Sequence, residues 1–481
     1  MRKSEILPLL LIATLGMLLR TYGLNWDQGY HLHPDERAIT MIADRISLPK
    51  TLTLPSFLSP DSTLNPKFFA YGSLPIYLLK LLGSLGSSFD KTLSSYDKIN
   101  ILGRIASVVF DIGTIYVIYL LTKSLFKNNR TIPLLAALFY AVSVLPIQLS
   151  HFFAVDTILN FFIILCLYLC IKYIEKPIVL KFLILGLTVG LAFATKFTGI
   201  LLFIPILMTL FTVSLGKKLS LFNKLKYFSL RSLLFILIFT LSTFLFMPYA
   251  FIDFPTFTAN ILEQLQMARD PYVFPFTLQY VNTIPYIYPI QQIFLWGLGP
   301  IISILAFLGI LIGIIPFLGI IPKKWSIPNW LIVFSFAAIY FLLIGQSAVK
   351  FMRYYLPLYP LLSILAAHFV EAFLVRVKHV LGQPFAEINL VIIILVIFIW
   401  PLSFVNIYGK PNPRLTASEW INQNIKEGSV LAVEHWDDRL PLFGSEKFSF
   451  VEMPMYDPDN SDSKWEKINS YLKKADYIIL A

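Results

Sequence analysis

The residues of this chain that could do chemistry stand in short runs, each at the edge of a long apolar block. The first is His31-Leu32-His33-Pro34-Asp35-Glu36-Arg37, followed by helical character to residue 46. Pro34 suits the first position of a helix, which sets Asp35 and Glu36 in its first turn. There the unpaired backbone N–H groups and the helix dipole favour an ionised carboxylate. An ionised carboxylate at the rim of an apolar bundle is a usable general base; the plainer alternative is an ordinary acidic first turn. His31, His33 and Asp35 alternate, so an extended backbone would set them on one face as a divalent-metal site, with Asp35 and His33 its best ligands. That spacing is not diagnostic.

Cations recur in similar settings. Lys67 lies in Asn65-Pro66-Lys67-Phe68-Phe69-Ala70-Tyr71, and Arg104 just inside the second apolar block. Lys196 lies in Thr195-Lys196-Phe197-Thr198-Gly199, and Lys350 and Arg353 in Lys350-Phe351-Met352-Arg353-Tyr354-Tyr355. Snorkelling to lipid headgroups accounts for one of these singly. As a set they ask for an anion, and a lipid-linked phosphate is the natural one. Asp156, one turn into the fourth block, is costly there without a partner. It is free to orient Lys196 or Arg104, to bind a sugar hydroxyl, or to join Asp35 at a metal. Asp111, deeper in the second block, reads as an interhelical hydrogen-bonding group.

The elements that must hold these residues are membrane helices. Of 481 residues, 57% are hydrophobic and only 14% charged, far from the balance of a soluble chain. The net charge of +11 does not imply nucleic acid, because Lys and Arg cluster in short gaps between apolar blocks and read as topology determinants. Cys166 and Cys170 sit on one face of one block, a packing position. Blocks long enough to cross run roughly over 6–26, 99–121, 131–149, 152–173, 179–195, 197–215, 228–247, 299–321, 330–344, 354–373 and 388–405, about eleven in all. The first reads as a retained signal anchor. If 68–89 lies along the outer interface without crossing, the clusters Arg2/Lys3, Lys123/Lys127/Arg130, Lys172/Lys176/Lys181, Lys217/Lys218/Lys224/Lys226, Lys323/Lys324 and Arg376/Lys378 all face the cytoplasm.

The expected architecture is therefore an all-α polytopic membrane protein with a cytoplasmic N-terminus. Residues 1–405 form the membrane domain, with outer loops 23–98 and 248–300, the first carrying juxtamembrane helices. Residues 406–481 form a small extracytoplasmic α/β domain, with helices near 418–426 and 463–474 and strands near 429–434 and 476–480. The last strand-like run breaks off, so the natural chain is expected to continue. Large outer loops on a helical bundle suggest an enzyme with an outward active site. The competing reading is a multi-pass transporter or flippase of lipid-linked sugars, which calls for internal repeats and polar groups at mid-membrane.

Taken in order, the stretches HPDE, NPKFFAYGSLPIYLL, GRIASVVFDIGTIYVIYLLTKSLF, ALFYAVSVLPIQLSHFFAVDT, GLTVGLAFATKFTGILL and RYYLPLYP resemble the GT-C class of membrane glycosyltransferases, and within it the protein O-mannosyltransferase and aminoarabinose transferase group. The resemblance covers about residues 6–408. It implies transfer of a sugar, with inversion, from a polyprenyl-phosphate donor to a glycan, lipid or protein acceptor at the outer face of the cell membrane. It further implies that Asp35, Glu36 and Asp156 are the acidic catalytic residues and that Lys67, Arg104, Lys196 and Arg353 surround the donor phosphate. His33, His151, Tyr71, Tyr280 and Tyr354 are the candidate contacts to acceptor or sugar. Many relatives have Arg where this chain has His151. No cofactor is required, since side-chain cations neutralise a monophosphate, and a divalent metal stays optional.

Overall fold

The structure, a computed structural model, describes residues 3–314, 327–434, 438–457 and 462–480. Seven of its helices are long and apolar enough to cross a membrane, or eight if one bent pair is a single crossing. That is fewer than the eleven expected; three further expected crossings fall on the shorter apolar helices Val179–Thr195, Pro300–Gly313 and Asn329–Gly345. The end of the expected 299–321 block and the Lys323/Lys324 loop lie outside the described residues.

The bent pair, Thr131–Ala141 and Val144–Ser150, turns by 55°. Pro146 stands in the first turn of its second half, where its missing N–H and its ring prevent the helix from continuing back through residue 142. Buried polar groups tie this break to the bundle. Arg20 donates to Asp111 at 2.6 Å and to the Ala141 carbonyl at 2.8 Å, and Tyr140 and Ser150 also donate to Asp111. Asp111 is thus interhelical, with an arginine as its main partner. A carboxylate or guanidinium this deep is costly without such partners.

Segment 68–89 forms a 14-residue helix, Ser73–Gly86, too short for a full crossing. It packs against the Pro34–Arg45, Tyr96–Leu125 and Val179–Thr195 helices. The tail folds as a small unit: strands β1 (Val430–Glu434), β2 (Ser449–Met453) and β3 (Tyr477–Ile479) form a parallel sheet in the order β2-β1-β3. Ile421, Ile425, Leu431, Val433, Leu440 and Phe448 are its core. The strand β2 lies between the two expected strands in sequence and is an addition to them. Helices Pro413–Asn424 and Asp462–Leu472 lie within a few residues of the expected ones.

The tail docks on the first long loop, residues 23–98, and on the bundle beside it. Tyr408 stacks flat on His151, ring centroids 3.7 Å apart, and its carbonyl oxygen lies 2.5 Å from where a side chain at Gly23 would begin. Only glycine, here at φ +67°, fits that approach. Phe443 packs on Tyr30, and Asp438 pairs with Arg37.

Candidate functional site

Two carboxylates hold equivalent helical positions. Asp35 is the second residue of Pro34–Arg45, whose N-cap His33 accepts from the Glu36 N–H at 3.4 Å. Asp156 is the second residue of Val155–Glu175. Each helix start offers free N–H groups and the positive end of its dipole to its own acid. The 3₁₀ segment Met352–Leu358 brings Arg353 between them, with its Nη2 3.1 Å from Asp35 and its Nε 3.9 Å from Asp156. Lys196, at the end of the Val179–Thr195 helix, lies 2.9 Å from the other Asp156 oxygen and sits 4.5 Å from the centre of the Tyr354 ring.

Tyr71 completes the group by donating its hydroxyl to Asp35. Its position depends on Gly72, whose N–H donates to the Thr195 carbonyl at 2.9 Å. A Cβ at residue 72 would lie 1.8 Å from the Ala194 carbonyl oxygen, so the close approach that sets Tyr71 beside Lys196 requires glycine. Residues from five separate stretches of sequence, 33–35, 71, 156, 196 and 353–354, thus converge.

Burial alone would raise the Asp35 pKa, but the Arg353 guanidinium, with the Tyr71 hydroxyl and the Lys196 ammonium, outweighs it and holds the carboxyl below its usual range. Burial, then the Asp35 charge, pushes the Tyr71 phenol well above its ordinary value, so it remains a donor. Burial lowers the His33 pKa, which keeps the ring neutral as an N-cap acceptor stacked 4.0 Å from Phe152.

A cavity of about 750 Å³ adjoins the cluster, with Lys196, Tyr354, Tyr280, Tyr340, Arg269 and Lys350 on its wall. The segment 248–300 supplies one side of it through Met267, Ala268, Tyr280 and Thr283.

Other expected site residues have different surroundings. Glu36 and Arg104 are fully buried and bind each other. Arg104 reaches both Glu36 oxygens at 2.7–3.1 Å, Asp27 at 2.8 Å and the Leu24 carbonyl at 2.8 Å. Glu36 also accepts from Asn100 and from the Phe153 N–H. This knot fastens the first long loop to the bundle, with the side chains of the expected catalytic Glu36 and phosphate-binding Arg104 both fully buried and bonded to protein partners. Lys67, at φ +53°, lies 3.2 Å from Asp253 and 3.6 Å from Asp61 and does not join the cluster. His151 is a packing residue, bonded to the Tyr22 and Ile147 carbonyls beneath Tyr408.

The extended His31-His33-Asp35 face does not form, because His31 takes φ +51° and Pro34 begins the helix. His31 packs at a tilt against Tyr96, and His33 stacks on Phe152. Among the described residues no three His, Cys, Asp or Glu side chains gather as a metal site. Asp35 and Asp156 are instead each engaged by a cation. Sequence reasoning missed Asp27 and Asp253, which occupy Arg104 and Lys67. Each is a lone acid among aromatic neighbours, and an acid in such surroundings implies a cationic partner.

Residues 99–244 match the family described as dolichyl-phosphate-mannose-protein mannosyltransferase. Among solved structures, the chain is similar to the Archaeoglobus fulgidus oligosaccharyltransferase in its apo form, at 15% identity and a TM-score of 0.57, covering 90% of this chain and 62% of that one. It is also similar to AglB from that organism in complex with an inhibitory peptide and a dolichol-phosphate, at 16% identity and a TM-score of 0.55, covering 90% and 62%. A third similarity is to ArnT from Cupriavidus metallidurans bound to undecaprenyl phosphate, at 13% identity and a TM-score of 0.48, covering 98% and 88%. No curated protein sequence matches the chain. The chain is a multi-pass membrane protein with the fold of the GT-C glycosyltransferases. It spans about 62% of the length of the archaeal enzyme.

Proposed function

We propose that the protein is an inverting glycosyltransferase that moves a sugar from a polyprenyl-phosphate donor to an acceptor on the extracytoplasmic face of the membrane, with the N-terminus cytoplasmic and the tail domain outside. The observation that carries this reading is the Asp35–Arg353–Asp156–Lys196 cluster, two acids and two cations beside a cavity at the edge of an apolar bundle. A polyprenyl tail does not leave the bilayer, so its phosphate has to be met by cations at helix ends. An apolar groove of about 750 Å³ along the Ile327–Gly345 helix, between Phe294, Phe307, Phe341 and Leu361, suits such a tail. AglB, which shares the fold, is found with a dolichol-phosphate.

In the proposed reaction Asp35 accepts the proton of the acceptor hydroxyl or amine. The acceptor atom bonds to the anomeric carbon as the carbon–oxygen bond to phosphate breaks on the opposite face. The phosphodiester thereby becomes a monoester with one more negative charge, which Arg353 and Lys196 are positioned to stabilise. Once Arg353 turns to the phosphate, Asp35 loses the contact that depresses its pKa and becomes a stronger base. Tyr71 orients Asp35, Asp156 holds Lys196, and Tyr280 and Tyr354 offer faces to the sugar.

Transfer of radiolabel from a polyprenyl-phosphate sugar in membranes tests the reading. Asp35→Asn is expected to lower transfer by about a thousandfold with the protein still folded. Undiminished transfer removes Asp35 as the base. Movement of the labelled lipid across the bilayer without transfer favours a flippase.

A further inference from the structure

The reacting cluster is electrically self-contained. Asp35 and Asp156 carry two negative charges, and Arg353 and Lys196 carry two positive ones, within the contacts given above. A phosphodiester entering beside them brings one further negative charge that these four residues do not balance. Of the other cations near this face, Arg104 is consumed by Glu36 and Asp27, and Lys67 by Asp253 and Asp61.

Lys350 differs. It lies on the same cavity wall as Lys196 and Tyr354 and is 3% exposed. Its ammonium donates to the Thr283 hydroxyl at 3.0 Å and to the Ala348 carbonyl at 2.9 Å, both neutral acceptors. Among the described residues it makes no ion pair. The Thr283 hydroxyl spends its own proton on the Tyr280 carbonyl, which orients a lone pair toward Lys350. An ammonium has three protons, so one is left after these two bonds. Its neighbours in sequence, Val349 and Phe351, belong to an apolar cluster with Met267, Tyr280 and Tyr354.

A buried charge without a counter-ion is unfavourable in the empty protein. Such a residue is retained in a binding wall when a ligand of opposite charge repays its desolvation. Arg269 lines the same cavity but is exposed, so water and salt screen it.

We propose that Lys350 is the counter-ion of the donor-lipid phosphate, the residue that makes the site select a singly charged phosphodiester over a neutral lipid. This rests on the polyprenyl-phosphate reading above. Arg353 and Lys196 then serve the charge that develops during transfer, and Lys350 the charge already present in the bound donor.

Thermal melting of the purified full chain in detergent, with farnesyl phosphate, farnesol or inorganic phosphate, tests the assignment with Lys350→Met and Lys350→Arg. Wild type is expected to melt higher with farnesyl phosphate than with farnesol or inorganic phosphate. Lys350→Met is expected to melt higher than wild type when empty, because an uncompensated charge has been removed, and to lose the farnesyl phosphate shift. Its affinity for that probe should fall by about ten- to a hundredfold, and Lys350→Arg should restore the shift. A full shift in Lys350→Met, or an empty variant that melts lower than wild type, overturns the proposal and leaves the lipid-donor reading standing. Equal shifts with farnesol or inorganic phosphate in wild type overturn that reading itself.

Discussion

Asp35 and Glu36 are neighbours in one helical turn, yet they have opposite fates. Asp35 faces Arg353 and Tyr71 and keeps 16% of its side chain accessible. Glu36 is inaccessible and is held by Arg104, Asn100 and the Phe153 N–H. The helix turns the chain by about 100° per residue, so one acid looks toward Arg353 and the next toward Arg104. Both acids meet an arginine. The difference is that the Arg104 and Glu36 side chains are inaccessible, whereas Arg353 and Asp35 keep 20% and 16% of theirs accessible, next to Lys196 and Tyr354 on the cavity wall. A buried ion pair is therefore not by itself a sign of catalysis; what distinguishes the two is access.

The largest expected consequence of this contrast lies in the knot. Arg104→Met leaves two buried carboxylates without their cation, and breaking such a pair costs about 3–5 kcal/mol. Little folded protein is expected, read as loss of the monodisperse peak in size-exclusion chromatography. The charge-neutral triple change Asp27→Asn, Glu36→Gln, Arg104→Met should recover part of it. Recovery of normal folding and full activity in Arg104→Met alone would erase the distinction between the two acids.

The second test sharpens the comparison through pH. Because Asp35 is held below the usual carboxylate range, its ionised form persists as pH falls. Its stabilising contribution is present above the unfolded value and disappears only as pH drops through the depressed folded value. The acid limb of kcat/KM is thus expected below the ordinary carboxylate range. In Arg353→Met burial dominates, and the limb should move upward toward or above the ordinary carboxylate value, in addition to a roughly hundredfold loss of rate. An unmoved limb would detach Asp35 from Arg353.

The smallest effect belongs to the docking contact two residues further on. Arg37 and Asp438 are each about a third exposed, so Arg37→Ala should cost under about 1 kcal/mol, seen as a small drop in melting temperature with transfer nearly intact. A large loss of transfer would mean that the tail domain governs the Asp35 helix.

Much of this protein was legible in its sequence. Long apolar blocks and the sidedness of lysine and arginine announce a helical membrane bundle, since hydrocarbon accepts little else. The runs around Asp35, Asp156, Lys196 and Arg353 stood out because charge beside apolar blocks is costly. The same logic also selected Arg104 and Lys67, because cost says that a partner exists without saying which. Their partners, Asp27 and Asp253, are 77 and 186 residues away in sequence. Likewise, alternation suggested a metal face at His31-His33-Asp35 until one residue at φ +51° and a proline at the helix start removed it.

Composition and pattern alone determined the solvent this chain folds in, the class of its helices and the short list of groups able to act. Only the tertiary structure decided which cations are already neutralised and which retain unspent charge. Pairing depends on separations of a few ångströms between residues hundreds of positions apart, and local sequence carries no term for that.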